Sequence, residues 1–527
     1  MTTRQLWGPG VWVAVALAVL GRFAGMLWPL RPDEAGFLLV ARAWDPQPDA
    51  LFHPYFVDRP PSLVALVRVV DAVGGPYALR VVGALACGAA VLLVAAVVRE
   101  LARGLAGRVA PAPLHLVTVG TALLTAAFLI NPQVDAVGVK GELLGVPFIL
   151  ASCLAALRGL RRRSLAAAAA AGFLAMAAVG LKQSLVGGLV FGAVLLLVAC
   201  ATKHLPLRDT ARLAAGALVG ASIPVVLTIG WAVAAGVDLA TLEYAVIGFR
   251  SDASAVILNQ DNPANGSRTM ILLLVFAGTG MVLVMAWCLA RIRVALRRLP
   301  APAVAALAML VVDLAAIALS GSFWRPYLFT LVSPLMMMWA CVRVAELGDL
   351  SEQDNLALRA DGKWHPRREV LLVALCVGSG VISLAAWTGV FWGNGDPPAE
   401  YEVGRAIASV ADDDETLVVY GGRADLQWAS GLDSPYEHLW SLPMRTMDPE
   451  LEQLRTLLAG PEAPEWFVTA VGLGAWDGIG ERALSDVIAS RYVDLGVRCE
   501  GIVVRRLADA PEVETPRVDC ETPRGQR

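Results

Sequence analysis

Eleven long apolar segments set the limits on what this 527-residue chain can fold into. A helix of about 17–25 apolar residues is long enough to cross the hydrocarbon core of a bilayer. Charged residues make up only 17% of the chain, against about 25% in a soluble domain. The sequence therefore predicts a polytopic α-helical membrane protein with about 11 spans. The segments are 11–29, 77–98, 114–131, 142–157, 165–181, 183–201, 212–235, 269–290, 301–320, 326–345 and 370–392.

The distribution of basic residues predicts the orientation. When the spans are threaded back and forth, five basic clusters fall on one side, around Arg103, Arg161, Arg208, Arg293 and Arg367. Loops rich in Lys and Arg face the cytoplasm. We therefore expect a multi-pass protein of the plasma membrane with a cytoplasmic N-terminus, and its richness in Ala, Val, Leu, Arg and Gly is typical of a GC-rich bacterial genome. The net charge of −3 gives no reason to expect nucleic-acid binding.

In this orientation, the first loop outside the cytoplasm (30–76) includes Arg31–Pro61 and two adjacent acids, Asp33 and Glu34. Adjacent acids project in different directions, so one can face a substrate while the other bonds the backbone or a basic neighbour. Acids directly after Pro32 are also typical of a helix N-terminus, where they complement the helix dipole. Because the pair stands beside a bilayer, we favour a charged pocket at this position.

The same loop closes on Asp58-Arg59-Pro60-Pro61. A double proline fixes an extended backbone, so it presents the carboxylate and the guanidinium in defined positions. A plain interfacial salt bridge is the alternative interpretation. A Gly74-Gly75-Pro76 break then ends a short apolar helix that begins at Ser62.

Lys182 is the only charged residue between Arg163 and Lys203. An ammonium between two spans is costly unless it reaches the surface or meets an anion, and a lipid phosphate would serve. Glu142, at the start of a span, and Arg325, before Pro326-Tyr327, fit the same pattern less strongly. The five histidines show no spacing typical of a metal site, so His53 is not predicted to bind metal.

The composition changes after the last span. Helical patterns at 399–411, 448–458 and 483–492 alternate with β-rich runs at 416–420, 466–470 and 501–505, which predicts a small α/β domain. We therefore expect a transmembrane domain over 1–392, an extracytoplasmic α/β domain over 393–510 and a disordered tail over 511–527. Cys499 and Cys520 both lie in this outer region, where the compartment permits a disulfide.

The motifs in the first 345 residues resemble those of the GT-C glycosyltransferases, in the branch of the protein O-mannosyltransferases and the lipid A aminoarabinose transferase. The resemblance consists of the acidic pair after the first span, the acidic-basic-Pro-Pro run, the acid that begins the fourth span, the Lys182-Gln183 turn and the Arg325-Pro326-Tyr327 entrance to a late span. It implies a GT-C-like fold and the transfer of a sugar, with inversion, from a polyprenyl-phosphate donor to an acceptor hydroxyl of an envelope glycan, lipid or protein.

The resemblance also implies roles for individual residues. Asp33 would be the general base, with Glu34 as its partner. Asp58 would be a second acid of the pocket and the candidate ligand of a divalent metal ion. The residues that would bind or line the site of the donor phosphate are Arg59, Glu142, Lys182 and Arg325. Asp58-Arg59 replaces the Glu-Lys or Asn-Lys more usual in the family, and Arg325-Pro326-Tyr327 replaces a His-Tyr.

Two other classes of function suit parts of the sequence. A transporter or lipid-sugar flippase would also have many spans, but transporters often show repeated halves and broken central helices, and no halving is visible here. A membrane scaffold whose outer domain binds a cell-wall polymer is the third possibility. The charges gather at the outer ends of the spans rather than at mid-bilayer, which favours the transferase.

Overall fold

The computed structural model describes residues 8–105, 109–135, 137–259, 264–349, 367–394, 397–476 and 480–518. The chain divides into two compact units. The first contains residues up to Met26, Arg80–Thr228 and Gly266–Thr388, and the second contains Leu27–Leu79, Ile229–Asn265 and the residues from Gly389 onward. The first loop therefore groups with the C-terminal region, whereas the sequence had suggested one boundary near residue 392.

Apolar helices form the first unit and extend into the second. Among the described residues, seven helices are long and apolar enough to cross a membrane, or up to eight when a bent pair counts as one span. Three more apolar helices have 10–17 residues. All eleven predicted segments overlap these helices, so the positions of the apolar segments are confirmed, whereas the number of spans stays a prediction because three of the helices are shorter than a usual span. The helices are Pro9–Phe23, Pro61–Gly104, Pro111–Ile130, Gly141–Arg162, Leu165–Val179, Gly187–Ala201, Leu207–Ala234, Ala264–Gly278, Met281–Arg298, Pro300–Leu319, Val332–Asp349 and Arg367–Asn394, with a 3₁₀ turn at Arg325–Leu331.

One of these helices contains a break, and one pair of them is sharply bent. Pro61–Gly104 loses its helical conformation at Gly74 and Gly75, and Gly75 has a φ of 63°, which confirms the predicted break. The predicted span 269–290 corresponds to a bent pair of helices, Ala264–Gly278 and Met281–Arg298, whose axis turns by 65° between Gly278 and Met281. Gly280 lies in the bend with a φ of 81°, a conformation that glycine adopts at no steric cost.

The second unit contains a small mixed sheet. Its strands are β1 (Leu417–Tyr420), β2 (Trp466–Thr469), β3 (Tyr492–Cys499) and β4 (Ile502–Leu507), in the order β1-β2-β4-β3. β1 and β2 are parallel, and the other two pairs are antiparallel. The helices of this unit are Pro32–Ala43, Leu239–Glu243, a π-helical turn at Tyr244–Gly248, Phe249–Asn259, Ala399–Ala408, Ala424–Ser430, Ser441–Met447, Glu452–Ala459 and Glu481–Arg491.

Both faces of this sheet are buried. Trp466 and Val468 pack into one apolar cluster, and Phe467 between them packs into the other. The predicted α/β domain is confirmed in three of its strands. β3 was missed because Asp494 and Gly496 interrupt its apolar pattern, and the pairing of β3 with β4 shifts register between Asp494 and Arg498.

The cysteines of the two units differ in their chemical state. Cys499 is disulfide-bonded, whereas its expected partner, Cys520, lies outside the described residues. The six cysteines in or beside the apolar helices are free thiols: Cys87, Cys153, Cys200, Cys288, Cys341 and Cys376.

A buried ion pair ties three strands of the sheet together. Glu415, just before β1, accepts hydrogen bonds from Arg506 of β4 at 2.5 Å and from the Trp466 indole of β2 at 2.6 Å. Burial raises the pKa of the Glu415 carboxyl, but the hydrogen bonds from Arg506 and Trp466 outweigh it and lower the pKa below its ordinary value of 4.5. A carboxyl with a lowered pKa stabilises the fold above its unfolded-state pKa and loses that contribution as the pH falls through its folded-state pKa.

We expect Glu415→Gln to reduce the stability of the sheet by about 3 kcal/mol at neutral pH, because Arg506 remains buried without its carboxylate. The variant also loses the part of the pH dependence that comes from protonating Glu415 below pH 4.5. Hydrogen exchange of β1, β2 and β4 in the full-length protein measures both effects. Glu514→Gln removes an exposed pair with Arg517 and should leave exchange unchanged. Equal exchange in all three proteins would contradict the assignment.

Candidate active site

The predicted site residues divide between the two compact units. Those in the second unit are Asp33, Glu34, Asp58 and Arg59. Those in the first unit are Glu142, Lys182 and Arg325.

Asp33 and Glu34 occupy the first turn of the Pro32–Ala43 helix. Proline is favoured at the first position of a helix, and acids in the first turn complement its dipole. Glu34 is fully buried, and its Oε2 accepts a hydrogen bond from the backbone N–H of Arg31 at 3.2 Å. Glu34 therefore helps to fix the start of the helix, which is the role that the alternative interpretation gave to the acidic pair. Asp33 is half-buried.

The indole of Trp440 donates a hydrogen bond to Asp33. Its Nε1 lies 3.1 Å from Asp33 Oδ1, although the two residues are 407 positions apart. The sequence contained no signal for this contact, because Trp440 lies in a region without a recognisable motif. The base predicted from the first loop is thus held by a residue of the C-terminal region.

Asp58 lies against two guanidinium groups. Its Oδ1 accepts a hydrogen bond from Arg59 Nη1 at 2.7 Å, and its Oδ2 forms an ion pair with Arg250. The Arg59 guanidinium also lies 5.8 Å from the centre of the Phe37 ring. From the sequence, Arg250 was only a basic loop residue, and its position on the Phe249–Asn259 helix is what assigns it to this cluster.

These surroundings do not fit a divalent metal at Asp58. Two cations beside one carboxylate oppose the approach of a third. A metal site also needs several ligands, and the described residues contain no group of three or more His, Cys, Asp or Glu side chains that could hold an ion. His53 is exposed, and its Nδ1 lies 3.9 Å from Asp45 Oδ2.

Lys182 and Glu142 form a buried ion pair in the first unit. Lys182 Nζ lies 2.5 Å from Glu142 Oε1, and the two residues are 7% and 5% exposed. Glu142 is in the first turn of the Gly141–Arg162 helix, and Lys182 is in the turn before Gly187–Ala201. The Lys182 ammonium also lies 4.3 Å from the centre of the Tyr327 ring. Lys182 thus meets an anion, as its isolation in the sequence required, and that anion is a protein carboxylate.

Arg325 is exposed and begins the 3₁₀ turn Arg325–Leu331. The next residue, Pro326, is buried, and Tyr327 is the ring that faces Lys182. The conspicuous Arg325-Pro326-Tyr327 motif therefore contributes to the Lys182 site through its tyrosine.

Arg22 holds the loop before the Gly141–Arg162 helix in place. The sequence analysis did not identify Arg22 as a functional residue. It is a buried residue of the first helix, and its guanidinium donates to the carbonyls of Asp135, Val137 and Gly138 at 2.7–3.3 Å. A charged residue inside an apolar segment is the signal that could have identified it. The loop leads into the helix that carries Glu142.

With its bundle of apolar helices and its small mixed-sheet domain, this chain has the GT-C membrane fold of ArnT. Its structural neighbours are ArnT, a lipid A aminoarabinose transferase, and the oligosaccharyltransferase AglB, both of them GT-C glycosyltransferases. The predicted fold class is therefore confirmed.

The crystal structure of ArnT from Cupriavidus metallidurans bound to undecaprenyl phosphate matches with a TM-score of 0.61 and 16% identity, over 95% of this chain and 98% of that one. The apo form matches with a TM-score of 0.60 and 16% identity, over 95% and 99%. AglB from Archaeoglobus fulgidus, in complex with an inhibitory peptide and a dolichol-phosphate, matches with a TM-score of 0.51 and 13% identity, over 87% and 69%. No family model and no curated protein sequence matches the chain.

We expect Glu142→Leu to lower the free energy of unfolding by about 3 kcal/mol, because it removes the carboxylate beside a buried ammonium. Adding Lys182→Met should recover most of this loss, since an apolar pair of similar volume replaces an ion pair at little cost. Thermal unfolding in detergent measures both changes. A double variant no more stable than Glu142→Leu would contradict the interpretation that the loss comes from leaving the buried Lys182 ammonium without its carboxylate.

Proposed function

We propose that this chain is an integral-membrane glycosyltransferase that moves a sugar from a polyprenyl-phosphate donor to an acceptor hydroxyl outside the cytoplasm. The observation that carries the proposal is the likeness of fold to ArnT over nearly the whole of both chains. The ArnT structure has undecaprenyl phosphate bound, and the AglB structure is a complex with a dolichol-phosphate. The proposed donor belongs to the same chemical class.

In this proposal Asp33 is the general base. As the acceptor oxygen bonds to the anomeric carbon, Asp33 takes the hydroxyl proton, and the bond from that carbon to the phosphate oxygen breaks. The polyprenyl phosphate leaves with the bonding electron pair. A single displacement inverts the anomeric carbon, by the same geometry that distinguishes inverting from retaining glycosidases.

Arg59 and Lys182 bind the donor phosphate. Arginine presents a planar fork that matches phosphate oxygens, and a buried ammonium interacts more strongly with an anion than an exposed one does. Glu142 holds the Lys182 ammonium in position. Asp58, between Arg59 and Arg250, orients the arginines, and the proposal uses no metal at Asp58. Arg325, exposed at the start of the Tyr327 turn, contributes positive charge for the same phosphate.

The proposed location is the bacterial plasma membrane, with the N-terminus in the cytoplasm and the C-terminal domain outside. The acceptor is an envelope glycan, lipid or protein, and the sugar is a hexose or a pentose. This orientation is supported by the basic clusters of the predicted cytoplasmic loops.

The first test compares Asp33→Asn with wild type. The purified proteins receive radiolabelled undecaprenyl-phosphate mannose or arabinose with heat-treated cell-envelope extract as acceptor. We expect wild type to place label on the acceptor and release undecaprenyl phosphate. We expect Asp33→Asn to transfer at least about 100-fold more slowly, since general-base catalysis contributes about 10²- to 10⁴-fold.

Asp45→Asn is the matched control, because Asp45 is an exposed acid of the same loop, and it should transfer at the wild-type rate. Wild-type activity in Asp33→Asn would remove the assigned base. In vesicles, label that crosses the membrane still attached to its lipid would identify a flippase instead of a transferase.

The second test concerns the donor phosphate. Arg59→Ala should raise KM for the donor by at least about tenfold, because a hydrogen bond to a charged group contributes about 1.5–3 kcal/mol. The double variant Glu142→Leu/Lys182→Met, which leaves no unpaired carboxylate, should also raise KM for the donor by at least about tenfold. Arg208→Ala, at an exposed basic residue, should not change KM. An unchanged KM in the Arg59 and Lys182 variants would refute the assignment.

A further inference from the structure

The Pro32–Ala43 helix presents one face to Trp440. Asp33, Gly36 and Phe37 are three and four residues apart, so they share that face. The Trp440 indole donates to Asp33 Oδ1 at 3.1 Å, and its ring lies 5.8 Å from the Phe37 ring. Trp440 is thus in contact with the helix at two consecutive turns.

Gly36 is what allows this close approach. A Cβ atom at Gly36 would lie 2.2 Å from Trp440 Cζ2 and 2.6 Å from Cη2, much closer than atoms can pack. Glycine in a helix interior is about 0.5–1 kcal/mol less favourable than alanine. The helix therefore has a glycine at the one position where the indole rests on its backbone.

Trp440 is itself held by backbone contacts. Gly422, after β1, has a φ of 74°, and a Cβ atom there would lie 2.6 Å from the Trp440 carbonyl carbon. Two hydrogen bonds join the segment 434–440 to the first loop. The Phe56 N–H donates to the Glu437 carbonyl at 2.9 Å, and the Ser434 N–H donates to the Tyr55 hydroxyl at 3.2 Å.

We infer that Trp440 is a positioning residue for the general base, through which the C-terminal domain takes part in the transfer reaction. The inference rests on the proposed function of Asp33. An indole N–H can donate a hydrogen bond but cannot accept one. It therefore stabilises the charged, proton-accepting form of Asp33 and restricts the direction in which the carboxylate points.

Trp440→Phe removes the donor and keeps an aromatic ring. With the undecaprenyl-phosphate mannose and arabinose probes, we expect it to lower kcat about tenfold, with KM for the donor unchanged, because the lost bond acts on the base. The acid limb of the kcat/KM profile should move to higher pH, since the charged carboxylate has lost a stabilising donor.

Trp428→Phe is the matched control. Trp428 lies on the same domain and contacts the other end of the same helix, where the Arg42 guanidinium lies 4.3 Å from its ring centre. If the tryptophans only packed against this helix, Trp440→Phe and Trp428→Phe would change activity to a similar extent. We expect only Trp440→Phe to change kcat and the pH profile.

Gly36→Ala tests the same contact from the helix side. Alanine itself favours the helix, so a loss of activity with an unchanged thermal unfolding curve in detergent comes from displacement of the indole rather than from unfolding. We expect Gly36→Ala to reproduce the lower kcat and shifted acid limb of Trp440→Phe. The double variant should be no slower than Trp440→Phe alone, because the indole bond can be lost only once.

A spectroscopic readout makes the test independent of the choice of donor. The protein is labelled with 5-fluorotryptophan, and among its 15 tryptophans the Trp440 ¹⁹F resonance is the one that Trp440→Phe removes. We expect this resonance to titrate with pH in wild type and to shift and stop titrating in Asp33→Asn.

The outcomes separate this inference from the proposed function. A Trp440 resonance that is indifferent to Asp33→Asn, or a Trp440→Phe enzyme with wild-type kcat and pH profile, would overturn the positioning role while leaving the transferase intact. A wild-type protein that transfers neither probe sugar, yet whose Trp440 resonance follows Asp33, would refute the proposed function and the catalytic role of the bond. That result would still confirm the hydrogen bond between Trp440 and Asp33.

Discussion

A charge inside an apolar helix bundle is stable only beside a partner, and the Lys182–Glu142 ion pair meets this condition in the membrane part of the chain. Its atoms lie 2.5 Å apart, and both residues are almost fully buried. The pair joins the start of one apolar helix to the turn before another. In the proposed reaction this desolvated ammonium also faces the donor phosphate.

Features that depend only on neighbouring residues in the chain could be predicted from the sequence. The length and composition of an apolar segment are enough to place a helix, and the break at Gly74-Gly75 follows from the glycines themselves. The requirement that Lys182 meet an anion also followed from its isolation among apolar residues. The identity of that anion did not, because the sequence allowed lipid phosphate or the bilayer surface, and the structure supplies Glu142.

Features that depend on distant residues could not be predicted. Trp440 contacts Asp33 across 407 positions, and Arg250 contacts Asp58 from the Phe249–Asn259 helix. β3 was missed because its pattern is broken by a polar residue and a glycine, and its pairing with β4 stabilises it. In the first turn of the Pro32–Ala43 helix, Glu34 has the role that the helix-start interpretation gave to the acidic pair, whereas the charged pocket at Asp33 stays a prediction.

The central claim is that this chain recognises a polyprenyl phosphate, and the lipids that remain bound after purification test it most directly. The measurement is native mass spectrometry of wild type and of Lys182→Met in the Glu142→Leu background, both extracted from the same membranes. We predict a polyprenyl phosphate or its glycosylated form on wild type and a marked loss of it from the variant. Bulk phospholipids alone, in equal amounts on both proteins, would contradict the claim.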